Sequence, residues 1–206
     1  MNDNDAVDRR RFLRIFGGVA LACLAPLPLA ASVTGSGILG APLIVPAIEP
    51  PVTGIPGAPD AHLISLLNVN TGERLSCAYR EKGILVPDAT AAIDRLLRDH
   101  RNDEIKPIDP QLLDMLHDAA SALGTDEPFQ VVCGYRSAAT NAAMRRRGAG
   151  VAKHSYHING RAADVSLPGV QLAQLRSAAR DLKNGGVGYY PGSRFVHLDT
   201  GPVRSW

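Results

Sequence analysis

Two histidines and one aspartate carry the most distinctive chemistry of this sequence. His157 and Asp164 stand seven positions apart around Gly160, and His197 follows in the strand-like run 195–199. Two imidazoles and one carboxylate are a ligand set typical of zinc sites that keep a coordination position open for water. Zinc lowers the pKa of such a water towards ~7 and polarises a carbonyl, and amide hydrolysis needs both effects. These residues predict a zinc hydrolase.

Strands are needed to bring the three side chains together. Asp164 and His197 lie in short apolar runs that indicate strands, and His157 belongs to the loop just before Asp164. Gly160 allows that loop to bend sharply. Because adjacent strands lie ~4.8 Å apart, such ligands can converge on an ion at ~2.0–2.2 Å. Taken alone, a His and an Asp at this spacing would more often be polar turn residues, so the prediction depends on the rest of the chain.

The remaining pattern alternates strands and helices. Asp109-Pro110 is a clear helix start, with Asp as the cap and Pro in the first turn. The predicted strands are 63–69, 74–80, 129–133, 162–167 and 195–199, and the predicted helices run from Asp88 to about His100, from Asp109 to Gly124, from Ser137 to about Arg147, and over 171–182. These elements predict an α+β domain in which helices pack on a small, mostly antiparallel sheet that carries the zinc site.

The N-terminal region predicts export. Residues 8–14 fit the twin-arginine pattern, and the apolar run 15–29 is too short and too interrupted by Gly and Pro for a good membrane span. We therefore expect a twin-arginine signal peptide over 1–31, a Pro- and Gly-rich linker over 32–60, and a zinc metallopeptidase domain over 61–206. The alternative is a basic start followed by an anchor helix.

Export would place the mature protein in the periplasm, with no integral membrane span. Ala20 to Cys23 loosely resembles a lipoprotein processing site, but Ala20 stands where Leu is usual, so we do not expect lipid anchoring at Cys23. An oxidising compartment permits a bridge between Cys77 and Cys133. Both lie in apolar strand-like runs, so buried free thiols are the alternative.

Charge argues against a nucleic-acid partner. The net charge is +2, part of it from the export signal, and there is no overall basic signature. The run Arg145-Arg146-Arg147 is more typical of a solvated helix end than of a nucleic-acid patch.

Three ordered motifs resemble one family. Residues 134–137 (GYRS), 155–164 (SYHINGRAAD) and 195–199 (FVHLD) are similar, in order and spacing, to the D-Ala-D-Ala carboxypeptidase branch of the LAS metallopeptidases, and within it to the exported MepK (YcbK-like) murein endopeptidases. The resemblance implies a LAS/hedgehog-like fold and a Zn²⁺ cofactor held by His157, Asp164 and His197. It also implies peptidoglycan stem peptides as the substrate.

The resemblance assigns further roles. It implies that Arg136 binds the substrate's carbonyl or carboxylate and offsets charge on the tetrahedral intermediate; a structural ion pair is the alternative. Ser155 would hydrogen-bond within the ligand loop or simply form a turn. His154 is more typical of a loop histidine. Tyr189 and Tyr190 would line the substrate groove or stabilise an oxyanion, and the alternative is that they pack on the sheet.

The general base is the open point. Many members of the wider group carry a Glu or a second His shortly before the last zinc ligand, but residues 191–196 contain neither. Asp199 is the nearest candidate. It would either accept a proton from the zinc-bound water or orient a ligand histidine.

The expected function is a zinc-dependent peptidoglycan endopeptidase that hydrolyses cross-links between murein stem peptides, in cell wall biogenesis. One alternative is a carboxypeptidase that trims terminal D-Ala. The other is a non-catalytic, zinc-containing murein-binding module, which the missing upstream Glu or His keeps open.

Overall fold

The computed structural model describes residues 60–148 and 150–206. The predicted signal peptide, Cys23 and the predicted linker up to residue 59 lie outside the described residues. The strands are β1 (Ala61–Asn68), β2 (Arg74–Glu81), β3 (Ile84–Leu85), β4 (Phe129–Cys133), β5 (Ala162–Ser166), β6 (Gly186–Tyr190), β7 (Phe195–Asp199) and β8 (Arg204–Ser205). They form one sheet in the order β3-β2-β1-β4-β5-β7-β6-β8.

Helices cover the sheet and bury its apolar face. They are α1 (Pro87–Leu96), α2 (Pro110–Leu123), α3 (Ala138–Arg146) and α4 (Leu172–Asp181). Helix α1 packs on β2, α2 packs on β1 and α4, and α4 packs on β6 and β7. Within the described ranges, no helix is both long and apolar enough to cross a membrane.

The sheet is mixed, as its strand pairings show. The β1–β4 and β6–β8 pairs are parallel, and the other five pairs are antiparallel. The predicted α+β class, with a mostly antiparallel sheet and helices packed on it, is confirmed.

Local capping signals set the helix boundaries as predicted in two places. The Asp109 side chain accepts a hydrogen bond from the Gln111 backbone N–H at 3.0 Å, and α2 ends at Gly124 with φ 62°. The Ser137 hydroxyl accepts one from the Thr140 backbone N–H at 3.1 Å and begins α3.

The first helix differs from its prediction at both ends. Its N-cap is Val86 rather than Asp88, and it ends at Leu96 rather than near His100. The carbonyls at its end bind partners outside the helix: Leu96 O accepts from the Asn68 side chain at 2.8 Å, and Leu97 O accepts from the Tyr135 backbone N–H at 2.7 Å. Tertiary hydrogen bonds therefore bind the carbonyls at the point where the helix ends.

The register of the sheet positions the predicted ligands. Asp164 of β5 pairs directly with His197 of β7. Their strand neighbours Ala163, Val165 and Leu198 belong to the core. Because side chains alternate along a strand, Asp164 and His197 both point to the opposite face of the sheet.

Candidate metal centre

His157 is placed by a tight turn that only glycine accommodates. It lies in a 3₁₀ helix, Tyr156–Asn159, which ends at Gly160 with φ 67°. A Cβ on Gly160 would lie 2.4 Å from the Pro107 carbonyl oxygen, so both backbone conformation and space require glycine. The His157 side chain is buried, and its Nδ1 lies 2.7 Å from the Gly134 carbonyl oxygen. Since that oxygen can only accept, Nδ1 donates and Nε2 is turned to Asp164, 3.3 Å from Oδ1.

His197 meets the same carboxylate from the neighbouring strand. Its Nδ1 lies 2.8 Å from Oδ1 of Asp164, and its Nε2 lies 3.1 Å from Oδ2 of Asp199. Both imidazoles thus have one nitrogen occupied by a protein acceptor and the other directed at Asp164. The structure brings the three predicted ligands into one cluster.

Asp199 is buried and has several donors around it. Its Oδ2 accepts from Arg204 Nη2 at 2.8 Å, besides its contact with His197. Its Oδ1 accepts from Arg204 Nη1 at 3.0 Å and from the Gly201 backbone N–H at 2.8 Å. The carboxylate is therefore held in a fixed orientation against the outer nitrogen of His197.

Arg136 lies at the edge of the same cluster. Its guanidinium donates to the Asn141 side-chain oxygen at 3.3 Å and to Cys133 Sγ at 3.6 Å. The side chain is 6% exposed, and among the described residues its Nε has no hydrogen-bond partner. No carboxylate ion pair to Arg136 is present in the described part of the chain. One buried guanidinium N–H is thus without a partner among the described residues.

The charged groups of the cluster shift one another's pKa values. Burial would lower the pKa of His157, but the adjacent Asp164 carboxylate outweighs burial and raises it to about 10. Burial would raise the pKa of Asp164, yet the two imidazoles hold it well below its usual range. Hydrogen bonds from His197 and Arg204 likewise overcome burial and lower the pKa of Asp199 to about 2. The site therefore stabilises negative charge on both carboxylates.

The donor set fits a zinc ion. Metal-binding histidines generally donate their other ring N–H to a carbonyl or carboxylate, which fixes the tautomer and the ring orientation. His157 has Gly134 O in this position and His197 has Asp199. Two imidazole nitrogens that are each directed at one oxygen of the same carboxylate are suitable ligands for zinc together with it.

Other predicted residues lie around this centre. Ser155 is the N-cap of the 3₁₀ helix without a side-chain capping hydrogen bond, and His154 is exposed. Tyr189 packs against the core, with the Arg176 guanidinium 5.1 Å from its ring centre. The Tyr190 hydroxyl accepts from the Trp206 indole at 2.8 Å.

Cys77 and Cys133 are both free thiols. Of the two alternatives, a disulfide bridge or free thiols, the structure therefore has the second.

Sequence reasoning missed three residues that contribute to the site: Cys133, Asn141 and Arg204. The ligand atoms of Cys133, His157 and Asp164 lie within 4.8 Å of one another. Asn141 holds Arg136, and Arg204 holds Asp199. The position of Cys133 directly before the GYRS motif was the one available signal for its proximity.

Comparisons with known proteins identify the family of the chain. Residues 57–206 match the model of the family described as peptidoglycan L,D-endopeptidase MepK. The probable peptidoglycan L,D-endopeptidase MepK of Haemophilus influenzae is 44% identical over 156 residues, which cover 75% of this chain and 84% of that protein. The peptidoglycan L,D-endopeptidase MepK of Escherichia coli K12 is 38% identical over 198 residues, which cover 96% of each chain. The chain therefore belongs to the MepK family and is a peptidase.

Proposed function

We propose that this peptidase is a zinc-dependent peptidoglycan endopeptidase that hydrolyses the cross-links between murein stem peptides. The relatives from H. influenzae and E. coli are both named peptidoglycan L,D-endopeptidases. We extend that bond class, an amide between an L and a D centre, to this chain. The observation that carries the proposal is the approach of His157 Nε2 and His197 Nδ1 to one oxygen of Asp164, at 3.3 and 2.8 Å.

His157, Asp164 and His197 would hold the zinc ion. Bound zinc would supply Lewis acidity, both to a scissile carbonyl and to water. Gly134 O and Asp199 keep the two imidazoles in the tautomers that present a lone pair to the ion.

Arg136 would bind the substrate. Its guanidinium is buried next to the cluster and keeps one unpartnered N–H among the described residues. A fixed cation in such a place binds a carbonyl or carboxylate of a stem peptide and offsets the negative charge that develops during hydrolysis. Asn141 fixes one end of the guanidinium and so limits its motion.

Asp199 has two candidate roles, and its contacts favour one of them. A general base needs a free oxygen directed at the proton that it accepts. Both oxygens of Asp199 already accept hydrogen bonds, from His197, Arg204 and Gly201. We therefore propose that Asp199 orients His197, and its role as proton acceptor stays a prediction.

The location follows from the substrate. Peptidoglycan lies outside the cytoplasmic membrane, and residues 8–14 fit the twin-arginine signal. We propose export by that route to the periplasm, where cleavage of cross-links would open the wall for growth.

Mass spectrometry of muropeptides tests the proposal. Purified cross-linked dimers are incubated with zinc-loaded protein, with chelator-treated protein, and with the His157→Ala and His154→Ala variants. We expect monomers from the zinc-loaded protein and from His154→Ala, whose histidine is exposed, but not from His157→Ala.

Other outcomes identify the alternatives. Loss of only a terminal D-Ala would indicate a carboxypeptidase. Wall binding that persists in His157→Ala, with no product from any sample, would indicate a binding module.

A further inference from the structure

An aromatic ring lies beside the last of the proposed zinc ligands. The indole of Trp206 has its ring centre 5.6 Å from that of the His197 imidazole. Gly188 of β6 pairs with His197 of β7, so both face the same side of the sheet. A Cβ on Gly188 would lie 2.8 Å from carbon atoms of the indole, so glycine leaves the space that the ring fills. Trp206 therefore covers the sheet on the face that carries His197.

The indole is held in place by three kinds of contact. The Trp206 backbone N–H donates to the Val187 carbonyl at 3.2 Å, and its carbonyl accepts from the Tyr189 N–H at 3.0 Å. Its Nε1 donates to the Tyr190 hydroxyl at 2.8 Å. The guanidinium of Arg204 lies 4.9 Å from its ring centre, within the range of a cation–π contact. Because the ring is already fixed, a ligand that packs on it pays little for ordering it.

Two more aromatic side chains continue this surface along the sheet. Tyr190 lies two positions after Gly188, and Phe195 lies two positions before His197, so both share the face of the ligand. They pair across β6 and β7 with ring centres 4.9 Å apart. Phe195 is buried and Tyr190 is half-buried, whereas Trp206 is 37% exposed. The most exposed of the three rings is thus the indole beside the proposed zinc ligand.

We propose that Trp206 is the wall of the substrate groove on which an aliphatic side chain next to the scissile amide packs. The inference rests on the proposed function for the identity of the substrate. A cross-link between two stem peptides uses an amino group on a side chain, and such a side chain carries methylene groups. An indole buries methylene groups well while its N–H keeps a polar partner, here Tyr190. The place of Trp206 beside His197 then sets which amide reaches the proposed metal centre.

Fluorescence reports on this contact directly, because Trp206 is the only tryptophan in the sequence. Zinc-loaded full-length protein is mixed rapidly with purified cross-linked muropeptide dimers, and the emission and its quenching by acrylamide are recorded before products accumulate. We expect the dimers to shift the emission to shorter wavelength and to lower the quenching, because the aliphatic chain excludes water from the indole. An all-L peptide of the same length is the control ligand and should change neither quantity.

Kinetics separate a substrate contact from support of the metal site. In Trp206→Ala we expect KM for the dimers to rise roughly 5–30-fold, the range for truncating a side chain at a binding contact, with kcat and zinc content kept. Trp206→Phe keeps an aromatic ring and should recover most of the affinity. Ile84→Ala removes an exposed apolar side chain from β3, at the other edge of the sheet, and is the matched control.

The outcomes separate this inference from the proposed function. Unchanged emission and an unchanged KM in Trp206→Ala, with dimers still cleaved, would overturn the role of Trp206 and leave the peptidase standing. A fall in kcat and zinc content with KM unchanged would show that Trp206 only supports Arg204, and would overturn it too. Emission that shifts with dimers that are never cleaved would overturn the proposed function and keep the contact.

Discussion

His197 Nε2 lies 3.1 Å from Asp199 Oδ2, and the two terminal guanidinium nitrogens of Arg204 donate to the same carboxylate, at 2.8 and 3.0 Å. His197 and Asp199 are two positions apart in β7, so they face the same side of the sheet. The carboxylate thus fixes the ring whose other nitrogen faces Asp164. This arrangement supports the proposal that Asp199 positions His197.

The Asp199→Asn variant distinguishes positioning from proton transfer. Asparagine keeps the shape of the side chain but loses the charge that holds His197. If Asp199 positions the ring, we expect zinc affinity to fall roughly 10–100-fold. Competition with a chromophoric chelator measures this affinity, and Asp126→Asn, at an exposed loop residue, is the matched control. Unchanged zinc affinity together with a large loss of kcat would support the proton-accepting role instead.

Arg136→Gln tests the proposed substrate contact. The variant keeps a polar side chain but loses the cation beside the cluster. We expect kcat/KM for cross-linked muropeptides to fall about 10²–10³-fold, as when a fixed donor to a developing oxyanion is removed. Zinc content is expected to stay at one equivalent, since Arg136 is not among the proposed ligands. Unchanged kcat/KM would show that Arg136 has only a structural role.

Gly160→Ala tests the turn that carries His157. Positive φ costs alanine roughly 1–2 kcal/mol, and the new Cβ would lie 2.4 Å from Pro107 O. Overpacking adds roughly 1–3 kcal/mol to the loss of unfolding free energy. Gly72→Ala is the matched control, because Gly72 also has positive φ but no atom within 4 Å of a Cβ. Equal losses of stability in urea unfolding would show that the close approach to Pro107 does not matter.

Zinc removal is expected to lower stability only when the ligands are present. A metal ion that binds only the folded state adds about 2.7 kcal/mol to the free energy of unfolding when its free concentration is 100 times Kd. Thermal unfolding with and without a chelator should therefore shift the wild-type Tm but not that of His157→Ala. An equal shift in both would place the stabilising ion elsewhere.

Acid stability is expected to depend on Asp99, which is fully buried. Burial would raise its pKa, but hydrogen bonds from Thr140 and from the Ser137 backbone outweigh burial and lower the pKa. Because the pKa is lower in the folded than in the unfolded protein, the ionised carboxylate stabilises the fold. This contribution to the free energy of unfolding is complete above the unfolded pKa of about 3.9 and is lost as pH falls through the folded pKa.

Urea unfolding of Asp99→Asn from pH 7 to pH 3 measures this contribution. Near neutral pH the variant should be less stable by roughly 1.5–3 kcal/mol, the range for hydrogen bonds to a charged group. The gap should narrow as pH falls below about 4, because there the carboxyl of the unfolded chain binds its proton while the folded one, with its lowered pKa, is still ionised. A gap that is constant with pH would show that the charge of Asp99 contributes nothing.

Much of the site was predictable because its signals are local. The spacing of His157, Gly160 and Asp164 predicts a sharp turn that leads into a strand, and the structure has that turn. Asp109-Pro110 and Ser137 mark helix starts through hydrogen bonds that span only two or three residues.

The sequence by itself therefore determined the candidate ligand types, the order of most elements and the α+β class. Only the tertiary structure decided that α1 ends at Leu96, that Arg204 holds Asp199, and that Cys133 faces Asp164. These three features depend on partners far away in the chain or on the register of paired strands. A shift of one residue in register moves a side chain to the other face of the sheet, and no local pattern encodes that shift. The apolar run around Cys133 therefore indicated a buried strand, and the bulge between β4 and β5 turned its last residue towards Asp164.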